Sequence, residues 1–288
     1  MKARIFGVIP VYGLLIACAI GMAVALCEKE CRRRGMKEDT GIDMALFAVP
    51  CAIVGARLYY VAFQWRYFRE DLWAILRVWE GGLAIYGAVI GGALGLAMMA
   101  RRRKLPLPEL LDIVAPVVIL GQAIGRWGNY FNGEAYGYAV TNAALQFFPL
   151  SVRVDGAWHL ATFFYESCWN ALGFVCLWRY LPRATKTGDV FFGYLLWYGA
   201  GRLFIEGLRT DSLMLAGLRV SQLLSLVMCV TAAAVQGVRH GKKRYIILGE
   251  ALGTAAFVCM LCGQFYLIAL PAAGFAWIQL QIQKKPSP

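Results

Sequence analysis

The residues able to do chemistry fall in two places. The stretch Gly125-Arg126-Trp127-Gly128-Asn129-Tyr130-Phe131-Asn132-Gly133-Glu134-Ala135-Tyr136-Gly137 gathers a cation, a carboxylate, two amides and four glycines at the end of an apolar run. A charge near mid-membrane costs about 2.5–3.5 kcal/mol on insertion scales, so an ionisable residue in such a run marks a functional site by default. A lone arginine there would read as a cation snorkelling toward the headgroups; a whole polar cluster asks for a ligand. The second place is Tyr198, Arg202, Glu206 and Arg209, spaced i, i+4, i+8 and i+11, so that one helix face carries a phenol, a cation, an anion and another cation. Arg202 with Glu206 would be satisfied locally, which leaves Arg57, Arg126 and Arg209 unexplained. Guanidinium suits phosphate because its planar fork binds two oxygens and it keeps its proton. The constellation therefore points to a lipid phosphate held at headgroup level.

These groups need a scaffold that spans a bilayer. Of the 288 residues, 60% are hydrophobic and 16% charged, with a mean hydropathy of +0.57. That is the composition of a polytopic membrane protein. The net charge of +12 would suit nucleic acid, but the basic residues fall in short clusters between apolar runs, as topology determinants do; no nucleic-acid partner is expected. The nine cysteines lie in or beside apolar runs and do not read as a disulfide framework. Cys259-x-x-Cys262 lacks a second ligand pair, and His159 and His240 are the only histidines, which excludes a His-rich metal site. Neither a metal nor a cofactor is expected.

Seven apolar runs have membrane length, about 9–26, 42–63, 82–100, 107–125, 162–181, 190–208 and 220–238. Leu15-Ile16-Ala17-Cys18, preceded by Lys2 and Arg4, imitates a lipidated signal peptide, yet apolar sequence continues to Leu26, so a first membrane helix is the reading. Gln64 to Glu80, three tryptophans among charges, suits an interfacial loop or surface helix. Residues 138–161 predict a small extracytoplasmic element between spans four and five. Residues 246–282 hold enough apolar sequence for one further span plus a short interfacial piece, which divides the chain into a membrane domain (1–245) and a C-terminal apolar extension (246–288). The expected fold is an all-α integral membrane protein of about seven transmembrane helices. Dense basic clusters after spans one, three, five and seven place that side in the cytoplasm, so the Arg126 motif, Gln64 to Glu80 and the Arg209 loop face outward. The glycines at Gly81-Gly82, Gly87 and Gly91-Gly92 let backbone approach a ligand or a helix closely, and for Gly91-Gly92-Ala93-x-Gly95 helix packing is the stronger reading.

The Arg126 motif, Gly125-Arg126-x-Gly128-Asn129-Tyr130-x-Asn132-x-Glu134-x-x-Gly137, closely resembles the signature of the prolipoprotein diacylglyceryl transferases. The resemblance continues in order through Tyr12-Gly13-Leu14, Gly55-Ala56-Arg57-Leu58, Trp79-Glu80-Gly81-Gly82-Leu83-Ala84-Ile85-Tyr86-Gly87, Asp112, Tyr165-Glu166-Ser167 and Tyr198-Gly199-x-x-Arg202-x-x-x-Glu206-x-x-Arg209. It covers about residues 8 to 240. What it implies is transfer of the diacylglyceryl group of phosphatidylglycerol to the lipobox cysteine thiol of a preprolipoprotein, releasing glycerol 1-phosphate, in the bacterial cytoplasmic membrane with the active site facing the outer leaflet. Carried over by position, Arg126 and Arg202 bind and neutralise phosphate, Asn129 and Glu134 fix the headgroup glycerol or orient Arg126, and Glu206 orients Arg202 or Arg209. Tyr12 lines the lipid site, and Arg57, Gly87, Asn132, Gly137, Tyr198 and Arg209 complete the substrate-binding set. The chain departs from the pattern where several members carry a histidine proposed as general base. Tyr86 stands there as the third candidate catalytic residue, although a phenol of reference pKa about 10 is a poor base near neutral pH. Leu160-Ala161 replaces a common His-Pro, with His159 displaced by one. The alternative from another class is a transporter or flippase of an anionic lipid, against which stand the lack of an internal repeat and charges at the outer interface.

Overall fold

Hydrocarbon offers a backbone no hydrogen-bond partner, so a lipid-exposed apolar run must satisfy its own N–H and C=O groups by coiling. The computed structural model describes residues 4–5 and 9–283, and every one of the seven runs is helical there. The helices are α1 (Val11–Arg33), α2 (Thr40–Phe63), a short α3 (Trp65–Phe68), α4 (Ile85–Arg103), α5 (Leu107–Asn132), α6 (Thr162–Tyr180), α7 (Asp189–Ile205), α8 (Val220–Arg239), α9 (Lys243–Leu261) and α10 (Ala269–Gln283). Among the described residues five helices, α1, α2, α5, α8 and α9, are long and apolar enough to cross a membrane. α4 ends on Arg101–Arg103, α6 carries Glu166, Ser167 and Asn170, and α7 has 17 residues, which keeps these three below that mark. Among the described residues strands are confined to three antiparallel pairs: β1 (Arg4–Ile5) with β2 (Ile9–Pro10), β3 (Ser151–Val154) with β4 (Ala157–Leu160), and β5 (Met214–Leu215) with β6 (Leu218–Arg219). α1 runs unbroken through Leu15–Cys18, as a membrane helix would. Lys2, ahead of the signal-like stretch, and the last five residues of the C-terminal extension lie outside the described residues.

The chain divides into two units, residues 24–113 and residues 1–23 with 114–288. In the first, α2 and α4 lie backbone to backbone. Gly87, Gly91 and Gly95 recur every fourth residue on α4, and a Cβ at each would collide with the carbonyl oxygen of Gly55, Cys51 and Phe47 respectively, themselves every fourth residue on α2. Small residues at that spacing allow the van der Waals contact that drives helix association in lipid. Gly92, one step round the helix, has ordinary van der Waals clearance, with a Cβ there 3.6 Å from the Ala52 Cβ and 3.8 Å from the Ala48 carbonyl oxygen. The segment after α2 consists of α3 and two 3-10 turns, Leu72–Leu76 and Val78–Glu80, with Trp65, Trp73 and Trp79 exposed, which fits an interfacial segment. At the opposite helix ends Arg103 pairs with Asp43, and Arg34 with Glu30 and Glu109, so several cations of the basic clusters are held by carboxylates.

In the second unit α6 and α7 are clasped by two indoles. Trp169 Nε1 donates to the Trp197 carbonyl at 2.9 Å and Trp197 Nε1 to the Trp169 carbonyl at 3.0 Å, with the rings stacked at 4.7 Å. Gly173 and Gly201 make room for them, since a Cβ at either would meet the opposing ring. α8 closes on α7 through Gly199 and Cys229, and α9 and α10 of the C-terminal extension complete a core that includes Leu203, Ala233, Tyr245 and Phe275. The expected element at 138–161 is present as the β3–β4 hairpin, to which Ala139 adds a bridge opposite His159.

Gly91→Leu places a side chain against the Cys51 carbonyl and should lower the stability of the purified protein by about 1–3 kcal/mol in detergent unfolding, as overpacking generally does. Gly92→Ala should be close to neutral in the same measurement.

Candidate active site

Three helices bring four charges together. Arg126 comes from the C-terminal part of α5, Glu166 from the second turn of α6, and Arg202 and Glu206 from the end of α7 and the 3-10 turn Glu206–Leu208 that follows it. Arg126 Nη2 donates to Glu166 Oε1 at 2.6 Å, and Arg202 Nη1 donates to Glu166 Oε2 at 2.9 Å. Arg202 Nη2 also pairs with Glu206 Oε2. Glu166 and Glu206 are buried, whereas the Arg126 side chain keeps 19% of its surface and Arg202 11%. Tyr198, one turn before Arg202, interacts electrostatically with all four. Neighbouring bonds hold the register: Trp127 Nε1 donates to Ser167 Oγ at 3.1 Å, and Ser167 Oγ donates to the Ala123 carbonyl at 2.9 Å. Glu166 was absent from the residues expected at the site, although its run Tyr165-Glu166-Ser167 was part of the resemblance. The available signal was a carboxylate inside an apolar helix with no cation at i±3 or i±4 to neutralise it.

The glycine-rich motif spans the last two turns of α5, Gly125 to Asn132, and the loop that follows, and in the loop it acts through its backbone. Glu134 N–H donates to the Asn129 carbonyl at 2.9 Å, and Gly133 takes a φ of 67° to turn the chain. Gly137 is threaded between neighbours: its N–H donates to the Leu160 carbonyl at 2.9 Å, it bridges Arg209, and a Cβ would lie 2.6 Å from the Leu208 carbonyl. The structure thus gives Gly137 a packing role. Gly128 leaves room for the Tyr12 ring, with which a Cβ would collide. Asn129 and Asn132 lie half-buried in the last turn of α5. Glu134 is exposed and lines a cavity of about 210 Å³ together with Tyr130, Arg153, Asp155 and Phe163.

Arg209 is engaged by Asp211, its Nε and Nη2 donating to the two carboxylate oxygens at 2.9 and 2.7 Å. Burial pushes the Asp211 carboxyl up, but hydrogen bonds and charge from Arg209, together with the more distant Arg126, outweigh it and hold the group below the usual carboxylate range. His159 hydrogen-bonds through Nδ1 to the Gly137 carbonyl at 3.1 Å and packs on Tyr136, the surroundings of a structural histidine.

Arg57, Tyr86 and Gly87 belong to the unit of residues 24–113. Arg57 is buried, and its guanidinium makes five hydrogen bonds to backbone carbonyls: Nε to Ile75, Nη1 to Gly81 and Gly82, and Nη2 to Ala74 and Arg77, at 2.5–3.2 Å. It organises the loop that the two 3-10 turns form. Gly87 abuts Gly55 on α2, and Tyr86 stands half-exposed at the start of α4 with its ring 6.2 Å from that of Tyr59. No group of three or more His, Cys, Asp or Glu suited to a metal occurs among the described residues.

The fold and site define a helical membrane protein in which two partly buried arginines from different helices share one buried carboxylate. Comparison with known proteins narrows this. The family model described as prolipoprotein diacylglyceryl transferase matches residues 3–237, and the chain belongs to that family. It is 48% identical over 238 residues to the phosphatidylglycerol–prolipoprotein diacylglyceryl transferase of Streptococcus equi subsp. zooepidemicus, covering 81% of this chain and 91% of the relative. Identity to the protein of that name from Enterococcus faecalis is 50% over 248 residues, covering 82% and 89%. With that of Pediococcus pentosaceus it is 43% over 241 residues, covering 81% and 87%.

Replacing Glu166 by Ala leaves two arginines without their shared counterion. The expected loss is about 3–5 kcal/mol of stability, the usual result of breaking a buried pair from one side. Unfolding in detergent checks it, with Glu166→Gln retaining more of the stability than Glu166→Ala.

Proposed function

We infer that this chain transfers the diacylglyceryl group of phosphatidylglycerol to the cysteine thiol of a lipobox signal peptide, the first step of lipoprotein maturation, and that Arg126 and Arg202 hold the phosphate. The observation that carries the site reading is the Arg126–Glu166–Arg202 bridge: two guanidinium groups from different helices are fixed side by side, and Arg126 uses one hydrogen bond on protein while the rest of its fork is free for a ligand among the described residues. In the reaction the thiol sulfur forms a bond to the glyceryl carbon that bears the phosphate, the C–O bond breaks, and its electron pair leaves with glycerol 1-phosphate. The thiol proton departs to solvent or to the released phosphate. A free thiol has a pKa of about 8.5, so a cationic field also favours the attacking thiolate. The phosphodiester carries one negative charge and the departing monoester gains a second. Fixed cations therefore interact more strongly as the bond breaks than before, which lowers the barrier.

Glu166 and Glu206 orient the two arginines; Asn129 and Glu134 contact the headgroup glycerol; Tyr12, seated on Gly128, borders the acyl chains. The family-matched part crosses the membrane seven times, through α1, α2 and α4 to α8, and α9 adds an eighth crossing. Alternating basic clusters support cytoplasmic loops after α1, α4, α6 and α8 and an outward-facing site.

Purified protein in detergent, given phosphatidylglycerol and a lipobox peptide, should yield a thioether-linked diacylglyceryl peptide and glycerol phosphate in equal amounts. Absence of product from folded protein would overturn the reading and return the transporter alternative. Arg126→Lys, which keeps charge but loses the fork, should lower kcat about 100-fold with unfolding unchanged, in the range of losing one transition-state donor. Wild-type turnover would remove Arg126 from the phosphate site.

A further inference from the structure

The family match ends at residue 237, yet the chain continues into two ordered helices. α9 packs against α8, and α10 returns alongside α7, the helix that carries Tyr198 and Arg202. Near the start of α7, Gly193 allows α10 so close that a Cβ there would collide with the amide of Gln279, which is itself completely buried. At the other end of α7, the 3-10 turn Phe265–Ile268 between α9 and α10 packs against α7 and against Glu206–Leu208. Ile268 has no exposed surface and belongs to the core that contains Leu203 and Ala200 of α7.

Glu206 sits at the point where α7 tightens into a 3-10 turn closed by Arg209 N–H to the Glu206 carbonyl at 3.2 Å. Such turns have poorer hydrogen-bond geometry than an α-helix and do not hold a position unaided. Two braces are present. From α8, Gln222 Nε2 donates to the Leu203 carbonyl at 2.9 Å, and from the extension comes the turn that ends in Ile268.

We propose that the C-terminal extension supplies a positioning element for the reaction: its turn Phe265–Ile268, seated through Ile268, holds the Glu206 turn so that Glu206 aligns the Arg202 guanidinium. This rests on the site reading above, in which Glu206 orients Arg202. Ile268 touches no reacting atom and acts through Glu206. The extension thereby does for α7 what a lipid chain could not, because a packed side chain fixes a register and a fluid acyl chain does not.

The test is a double-mutant cycle in the full chain, with diacylglyceryl transfer as the readout. Ile268→Ala should lower kcat about tenfold with the KM for phosphatidylglycerol less affected, and Ile268→Val should restore it to within about twofold, a coupling typical of residues in one network. In a Glu206→Gln background, already slowed, Ile268→Ala should have little further effect. Phe275→Leu, deeper in α10, serves as control: it should lower the unfolding temperature while leaving kcat unchanged. If Ile268→Ala prevents folding, Ile268→Thr, which keeps the branched shape but seats a hydroxyl in the apolar contact, replaces it in the cycle with the same expected loss and the same non-additivity with Glu206→Gln. Full additivity of the Ile268 and Glu206 changes, or wild-type kinetics in folded Ile268→Ala, would overturn the proposal. Wild-type activity of Glu206→Gln alone would instead overturn the site reading on which it rests.

Discussion

The structure around the site depends on one carboxylate between two guanidiniums. Arg126 and Arg202 face each other from separate helices and would repel, and each is costly in an apolar setting. Glu166 gives one oxygen to each, so a single buried anion settles both. The geometry also fixes three helices at once. Sliding any of them by one residue, about 1.5 Å along its axis and 100° around it, would take an oxygen away from its donor. The indole clasp of Trp169 and Trp197 and the Ser167 bonds to α5 are arranged so that no such slide occurs.

With Glu206 included, the cluster is formally neutral, which bears on function as well as on insertion. A free pair of arginines would attract any anion and would resist burial. A pair already held by carboxylates is cheap to bury and cannot swing toward a ligand, so little reorganisation accompanies the arrival or departure of charge. Preorganisation of this kind suits a reaction whose anionic character grows on one leaving group.

Much of this was legible in the sequence, and the failures have a physical pattern. Apolar length gave the helix starts to within about three residues, because a bilayer leaves the backbone no other choice, while α1 and α5 run on past their apolar stretches to Arg33 and Asn132. The glycine spacing on α4 was correctly read as packing, since Gly91 and Gly95 meet α2 carbonyls. The Arg202–Glu206 pair was readable because it lies within one helix at i, i+4. Glu166 was missed because its partners are on other helices, and spacing within a chain does not say which faces meet. Gly137, expected among the substrate contacts, comes close to the Leu208 carbonyl: a glycine announces that something comes near without saying what. The C-terminal extension was legible as apolar but not as part of the α7 support, because packing partners of a uniformly apolar helix leave no trace in its composition.

Arg57 and Arg126 show how far residue type can carry a functional argument. Both are arginines in apolar runs beside glycines, and by type and spacing they are equivalent candidates for a phosphate. They differ in what their donors meet. Arg57 directs five hydrogen bonds to the backbone carbonyls of a loop, which engages all three of its nitrogens with protein. Arg126 makes a single bond to a protein carboxylate, and part of its surface stays open. An acceptor on a backbone and an acceptor on a lipid are chemically alike, so the sequence could not separate the two roles. The count of donors still available separates the two environments, and it is the ground on which the phosphate is proposed at Arg126.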